Sequence, residues 1–388
     1  MSKLDELIRE LCPDGVIFVP LGEVLKNNNA SESIEKKDYK EFGRIPIIDQ
    51  SQAYIAAYTD NESAMPPILP CIIFGDHTRI VKYAKQKFAQ GDSGTKVFIP
   101  VSNDIDTKFI YYAFCNLSIL SRGYNRHWSV VKELRIPLPP LPVQREIVRI
   151  LDSFTELTAE LTTELTARKK QYEYYRDELF NFKEQVEWKN IGEITRVFSA
   201  SRVHKDEWTT EGVPFFRSSD IISLFNGVDN SRGRVFISNE LYEALSAKSG
   251  KFRKDDILIT GGGTIGIPYI VPSDEPIYVK DADLLCIQKS ENLNSRFLYH
   301  YFLTTAFRQY LSNVTHDATI AHYTISQISS TSVPIPSLEE QSRIISILDR
   351  FDTLCNDITT GLPAEIEARK KQYEYYRDKL LSFPEAKA

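Results

Sequence analysis

The sequence is poor in sulfur. It has two methionines and five cysteines (Cys12, Cys71, Cys115, Cys286, Cys355), scattered and without a C-x-x-C pair. An odd, dispersed set argues against a disulfide framework or a zinc site and points to a reducing compartment. No apolar run approaches the ~18 residues of a membrane span. Met1 to Glu6 lacks the apolar stretch of a signal peptide, so the expectation is a cytoplasmic chain with no membrane partner. Positive charge is not in excess either. Lys and Arg number 47 against 53 Asp and Glu, a net charge of −6. That excludes a uniformly basic nucleic-acid coat and leaves a local basic groove open, because a field depends on where charges sit.

Catalytic signatures are equally scarce. Gly261-Gly262-Gly263-Thr264-Ile265-Gly266 has G-x-G-x-x-G spacing, but Pro268 and Tyr269-Ile270-Val271 read as a strand, not the helix a dinucleotide site requires. A tight turn between strands is expected there. Gly91-Asp92-Ser93-Gly94-Thr95-Lys96 lacks phosphate-loop spacing, so ATP hydrolysis is not expected. Met65-Pro66-Pro67-Ile68 fails the Asn/Asp-Pro-Pro-aromatic pattern of amino-methyltransferases. No catalytic residue and no metal ligand is assigned.

What the chain does contain is a repeat. With 388 residues, 42% hydrophobic and 26% charged, it should form two or three domains. Ala167–Asp177 recurs unchanged at Ala368–Asp378, 201 positions later. Ile136-Pro137-Leu138-Pro139 returns as Val333-Pro334-Ile335-Pro336 at an offset of 197, and Gln144 and Asp152 return as Gln341 and Asp349. Leu21-Gly22-Glu23-Val24 is echoed by Ile191-Gly192-Glu193-Ile194. Each half is therefore a variable block, a Pro-rich hinge and a long helix.

A 3–4 spacing of apolar and aromatic residues (Ile147, Leu151, Phe154, Leu161, Leu165, Tyr172, Tyr175, Leu179, Phe182) predicts a coiled-coil seam. It predicts an unbroken first helix of roughly 40 residues, about 60 Å. The second seam (Ile344, Leu348, Phe351, Cys355, Ile358, Leu362, Ile366, Tyr373, Tyr376, Leu380, Phe383) should break at Gly361-Leu362-Pro363, with Pro363 restarting the helix at its first position. The two offsets differ by one tetrapeptide, about 1.1 turns and ~6 Å, which keeps the apolar face while changing length. Antiparallel pairing of the helices would place the variable blocks at opposite ends of a rod. The identity of exposed Lys and Arg in the duplicated segment suggests two copies of one partner, with Arg168, Lys169, Lys170, Tyr174, Arg176 and Arg369, Lys370, Lys371, Tyr375, Arg377 as candidate contacts.

The variable blocks, about 15–135 and 186–332, read as α+β with many short strands. If His77–Lys87 is one strand, period two puts His77, Arg79, Lys85 and Lys87 on one face with Tyr83, and Lys82 joins the candidate set. Arg122-Gly123-Tyr124-Asn125-Arg126-His127-Trp128 closes the first block, and His316, His322 and Tyr323 close the second. Arg217, Lys251, Arg253 and Thr264 complete the set, with Lys248 and Lys254 nearby. Basic residues interleaved with aromatics suit phosphate and base-edge contact. For any single lysine a solvated strand face is the better explanation, while His127 and His322 fit either buried, satisfied rings or nucleic-acid contacts.

Phe74-Gly75-Asp76-His77-Thr78-Arg79, the two hinges, Gln144 and Gln341, Asp256-Ile257-Leu258-Ile259 with Gly263–Gly266, and the duplicated Arg168–Asp177 occur in an order that resembles the specificity subunits of type I restriction–modification systems. The resemblance covers essentially the whole chain. It implies an α+β fold: two mixed α/β target-recognition domains separated by two long antiparallel coiled-coil helices in a pseudo-twofold repeat. The expected divisions are a helical segment at 1–14, recognition domains at 15–135 and 186–332, and hinge-plus-helix regions at 136–185 and 333–388. It further implies a non-catalytic subunit that binds double-stranded DNA and docks two methyltransferase subunits, with motor-nuclease subunits completing the assembly. S-adenosylmethionine, ATP and magnesium would belong to those partners, and no cofactor to this chain. Because the two blocks differ, the implied target is bipartite and asymmetric. The competing reading is a coiled-coil scaffold carrying two protein- or glycan-binding modules.

Overall fold

The computed structural model describes residues 2–182, 186–228, 233–315, 322–357 and 359–386. They form two compact units: Met1–Glu160 with Ala368–Ala388, and Leu161–Glu367.

The first unit runs α1 (Lys3–Leu11), β1 (Ile17–Pro20), α2 (Leu21–Val24), β2 (Leu25–Asn27), β3 (Ile45–Ile48), β4 (Ala57–Thr59), β5 (Cys71–Gly75), β6 (Val81–Ala84), β7 (Ala89–Gln90), β8 (Thr95–Pro100), α3 (Thr107–Cys115), α4 (Trp128–Val131), β9 (Arg135–Leu138) and the first part of α5 (Leu141–Leu179). One sheet has the order β2-β8-β5-β6, and a second has β4-β3-β7 with β3 and β7 parallel. The apolar run Cys71–Phe74 forms β5, covered on both faces and therefore lacking polar alternation.

The second unit begins in the rest of α5 and continues with β10 (Glu187–Asn190), α6 (Ile191–Ile194), β11 (Val197–Ser199), β12 (Val213–Phe216), α7 (Ser218–Phe225), β13 (Val235–Ile237), α8 (Asn239–Ser249), β14 (Ile257–Thr260), β15 (Pro268–Ile270), β16 (Tyr278–Val279), β17 (Leu284–Ile287), α9 (Ser295–Phe302), α10 (Thr305–Thr315), α11 (Ile325–Ser329), β18 (Ser332–Ile335) and α12 (Leu338–Asn356). α13 (Leu362–Leu380) starts here and ends in the first unit. The sheet orders are β11-β17-β14-β15 and β13-β12-β16, with β12 and β16 parallel. Strand for strand this is the topology of the first unit, built from a different sequence.

The repeat is clearest where each block meets its helix. The hinge strands pair with the strands that open the blocks, Pro137 opposite Phe18 and Pro334 opposite Trp188. Gln144 is buried, donates to the Pro139 carbonyl (2.7 Å) and accepts from the Asp106 amide (2.8 Å) at the cap of α3. Gln341 donates to Pro336 (3.0 Å) and Asn292 (3.0 Å) and accepts from Asn294 (2.8 Å) at the cap of α9. One turn or two further on, Asp152 takes Lys108 Nζ (2.7 Å) and the Tyr112 hydroxyl (2.6 Å), while Asp349 takes Arg296 Nε and His300 Nε2, both at 2.7 Å. Ile147 and Leu151 in one core and Ile344 and Leu348 in the other are fully buried, as the seams require.

α5 is continuous over 39 residues. Within the second unit Tyr172 and Tyr175 of α5 stack on Phe351 of α12, and the charges of Arg168 and Lys169 bear on Cys355, so the two helices run antiparallel there. The expected break lies between α12 and α13. A Cβ on Gly361 would come within 2.5 Å of the Thr353 carbonyl, so only glycine fits. Pro363 is the second residue of α13, after Leu362, and Ile358 lies outside the described residues. The C-terminal segment returns to the first unit, where the Val16 amide donates to Pro384 (2.9 Å) and the Ala386 amide to Val16 (2.9 Å). Among the described residues no helix is long and apolar enough to cross a membrane.

Candidate nucleic-acid interface

The single strand expected over His77–Lys87 does not form. Asp76 to Thr78 is a turn, Arg79 has φ of 66°, and only Val81–Ala84 is strand. A residue in the left-handed region ends strand pairing, so period two does not carry from His77 to Lys87. Lys85 and Lys87 are exposed beyond β6. Lys82 points inward: it is buried, and its ammonium donates to the carbonyls of Asp49 (2.7 Å) and Ala53 (2.6 Å). Burial lowers its pKa. It is a structural cation, not a surface contact.

The turn instead joins His77 and Arg79 to the late cluster. His77 stacks on Tyr124 with centroids 4.7 Å apart and planes 12° from parallel, and His77 Nδ1 donates to the Tyr124 carbonyl at 3.0 Å. Arg79 donates to the Ile119 carbonyl (2.9 Å). Arg122, Tyr124 and Arg126 are exposed, Tyr124 by 85%.

His127 anchors this loop from beneath. It is buried, Nδ1 donates to the Asp76 carbonyl (2.9 Å), and Nε2 accepts from the Arg122 amide (3.1 Å). Both ring nitrogens are used, so of its two readings the satisfied one holds. Trp128 packs inward on Phe98, 4.1 Å between centroids. Asp76, which the sequence reading left without a role, accepts the Trp128 amide (2.7 Å) and faces Lys96 at 3.6 Å. Gln50 also went unnoticed, for it lies far from the motif in sequence. Its Oε1 accepts the His77 amide (3.2 Å), and its carbonyl accepts the Thr78 hydroxyl (2.6 Å).

In the second unit Gly261–Ile267 is the tight turn expected between antiparallel β14 and β15. Thr260 Oγ1 donates to the Thr264 carbonyl (2.6 Å) and accepts the Ile267 amide (2.9 Å), while Gly263 and Gly266 take φ of 73° and 78°. Thr264 is exposed on the turn, and exposed His322 lies beside Gly262. Tyr323 is buried, bonded through its hydroxyl to Thr331 and through its amide to Gly261 (2.8 Å), so it is a core residue. The same backbone link joins His127 to Asp76, which makes the late segment and the post-strand turn a matched pair in both units. Arg253 is exposed at the other end of β14. Arg217 is occupied by both Asp220 oxygens (2.9 Å each), and Lys251 by Glu243 (3.0 Å). His316 lies outside the described residues.

The duplicated helical segments present one face twice. Tyr174 and Tyr375 are each 62% exposed, with Lys170 and Lys371 one turn away on the same face. Lys169 and Lys370 are exposed as well. Arg168 bonds Glu164 (2.7 Å) and Gln171 (2.8 Å), and Arg369 bonds Gln372 (2.9 Å). Arg176 and Arg377 turn inward, over the rings of Tyr172 (5.4 Å) and Tyr373 (5.9 Å), so they do not belong to that exposed face.

The model of the type I restriction modification DNA specificity domain matches this chain twice, at residues 13–168 and 183–368. The chain belongs to the family of type I restriction–modification specificity subunits. The specificity subunit of the Escherichia coli type I restriction enzyme EcoR124I/EcoR124II is 34% identical, over 99% of this chain and 98% of that protein. In fold, this specificity subunit is similar to the S subunit of the M. genitalium type I system (TM-score 0.57, 17% identity, 95% of this chain and 96% of the other). It is also similar to a chain from a study of complex assembly and conformational transition of the type I system (TM-score 0.61, 17% identity, 96% and 98%). Each matched segment of the specificity subunit contains one four-stranded and one three-stranded sheet of identical order.

Proposed function

We propose that this specificity subunit reads a bipartite, asymmetric DNA target, one half-site per recognition domain, and brings two methyltransferase subunits to it. The observation that carries the reading is one topology presenting two different surfaces. The paired turn and late segment offer Arg79, Arg122, Tyr124 and Arg126 in the first unit, and Thr264 and His322 in the second. Equivalent placement on unlike side chains suits two unlike half-sites. Arginines and Lys85 and Lys87 would neutralise phosphates and set register, while polar and aromatic tips meet base edges. The repeated Lys170–Tyr174 and Lys371–Tyr375 faces suit two copies of one methyltransferase. That partner would carry S-adenosylmethionine for adenine methylation, and motor-nuclease subunits would bring ATP and magnesium for restriction.

Co-expression with the neighbouring methyltransferase, followed by genome-wide mapping of modified adenines, tests this directly. The expected result is one bipartite motif with a fixed, unread spacer. Deleting Thr158–Leu161 should shorten that spacer and keep both half-sites. Modified adenines without a shared two-part motif would overturn the reading, and altered half-sites in the deletion would overturn the role of the tetrapeptide run.

A further inference from the structure

Within the second unit a cleft of about 940 Å³ opens between the Lys169–Arg176 face of α5, the end of α7 at Phe225, β15, and Arg308 of α10. That volume is typical of sites for small organic ligands. Its charges are unbalanced. Its lining carries four cations, Lys169, Arg176, Arg296 and Arg308, against three carboxylates: exposed Glu173, Asp352, which is held by Arg296 (2.7 Å), and Asp357, which accepts from Thr359 and Thr360. Among the described residues neither Lys169 nor Arg308 makes an ion pair, and Arg308 reaches only the Ile265 carbonyl at 3.4 Å. Arg176 is 11% exposed and, among the described residues, meets an acid only at Asp177 (3.7 Å), while its buried Nε has no acceptor.

The duplicated copy shows the same arginine satisfied. Arg377 Nε donates to Asn116 Oδ1 (3.0 Å) and Nη2 to Asp378 (2.9 Å). In the second unit Arg308 stands near Arg176 instead, and burial together with the Arg176 charge holds Arg308 below its ordinary pKa. Two half-buried guanidinium groups that share no ion-pair partner among the described residues repel each other, and an anion placed between them removes the repulsion. Phe225, Tyr269 and Tyr299 give the same cleft an aromatic wall.

We propose that this cleft binds a small phosphate-bearing ligand of mononucleotide size, with Arg176 and Arg308 on the phosphate and the aromatic wall against the attached ring. Guanidinium groups suit phosphate because their planar donors match its oxygens. The inference stands apart from DNA reading, since it draws on none of the exposed recognition residues.

Isothermal titration of the full chain with AMP, and separately with inorganic pyrophosphate, at constant ionic strength tests it. Saturable AMP binding is expected, weakened at least about tenfold in Arg308→Gln, since hydrogen bonds to charged groups are the strong ones. Arg308→Lys should retain part of the affinity. Lys169→Gln, at an exposed helix position where folding is not at risk, should weaken AMP binding measurably. Absence of saturable binding by both probes, or unchanged AMP affinity in both Arg308→Gln and Lys169→Gln, overturns the proposal.

Discussion

Phe154 stacks on Tyr376 with ring centroids 5.3 Å apart and planes 20° from parallel. Phe351 and Tyr175 make the matching contact in the second unit at 5.7 Å and 27°. The phenylalanines are 197 positions apart and the tyrosines 201, so the tetrapeptide difference leaves the ring pair intact. Both phenylalanines are half-buried, and Phe154→Ala or Phe351→Ala should cost about 1–2 kcal/mol, less than a fully buried ring. Urea denaturation reads this, and unchanged midpoints in both variants would show that the stacks hold nothing together.

Gln144→Ala and Gln341→Ala each remove a buried amide that bridges a hinge to the cap of a recognition-domain helix. Leaving those buried carbonyls and amides unpaired should destabilise by about 2–4 kcal/mol, by similar amounts at the two sites. A large loss at one site and none at the other would contradict the equivalence of the joints.

His300 gives the second unit an acid sensitivity. Burial lowers its folded-state pKa below the ordinary 6.5 and outweighs the opposing pull of Asp349. The unfolded chain therefore takes up the proton first, and stability falls as pH drops below 6.5. Tyr112 holds the equivalent position in the first unit, and burial and Asp152 push its hydroxyl further from ionisation. His300→Tyr should flatten the stability profile below pH 6.5. Urea midpoints that keep falling in the variant as in the parent chain would remove His300 from the explanation.

Arg126 and Lys82 should behave in opposite ways. Arg126→Ala should lower the slope of log affinity against log salt by about 0.9 per lost phosphate contact, with no change in folding. Lys82→Met should cost about 1–3 kcal/mol, because two buried carbonyls lose their donor, and should leave the salt slope alone. Filter-binding titrations over a salt series, together with thermal melts, separate the two.

Tyr174→Ala and Tyr375→Ala lie on exposed helix faces and should each change stability by less than about 0.5 kcal/mol. Each should remove one methyltransferase subunit from the assembly, and the double variant both. Mass measured by light scattering during gel filtration reads the count. An intact assembly in the double variant would move the docking face elsewhere.

The features legible in the sequence were those written in short-range pattern or exact repetition. The seam, the hinges and the break at Gly361 follow from spacing and from glycine and proline. The strand reading of His77–Lys87 failed because the left-handed Arg79 is invisible to periodicity. Lys82 read as a surface candidate, and His127 stayed open between a buried, satisfied ring and a nucleic-acid contact, because their partners, Asp49, Ala53 and Asp76, lie about 30 to 50 residues away and meet them only through sheet topology. The return of Pro384–Ala386 to Val16 carried no local signal at all.

That return also orders biosynthesis. Arg135 and Glu385 are 250 positions apart yet form an ion pair at 2.6 Å within the first unit. The ribosome must therefore translate the whole second unit before the edge at Val16 is sealed. A premature stop within the codons for α13 would injure the half of the protein made first.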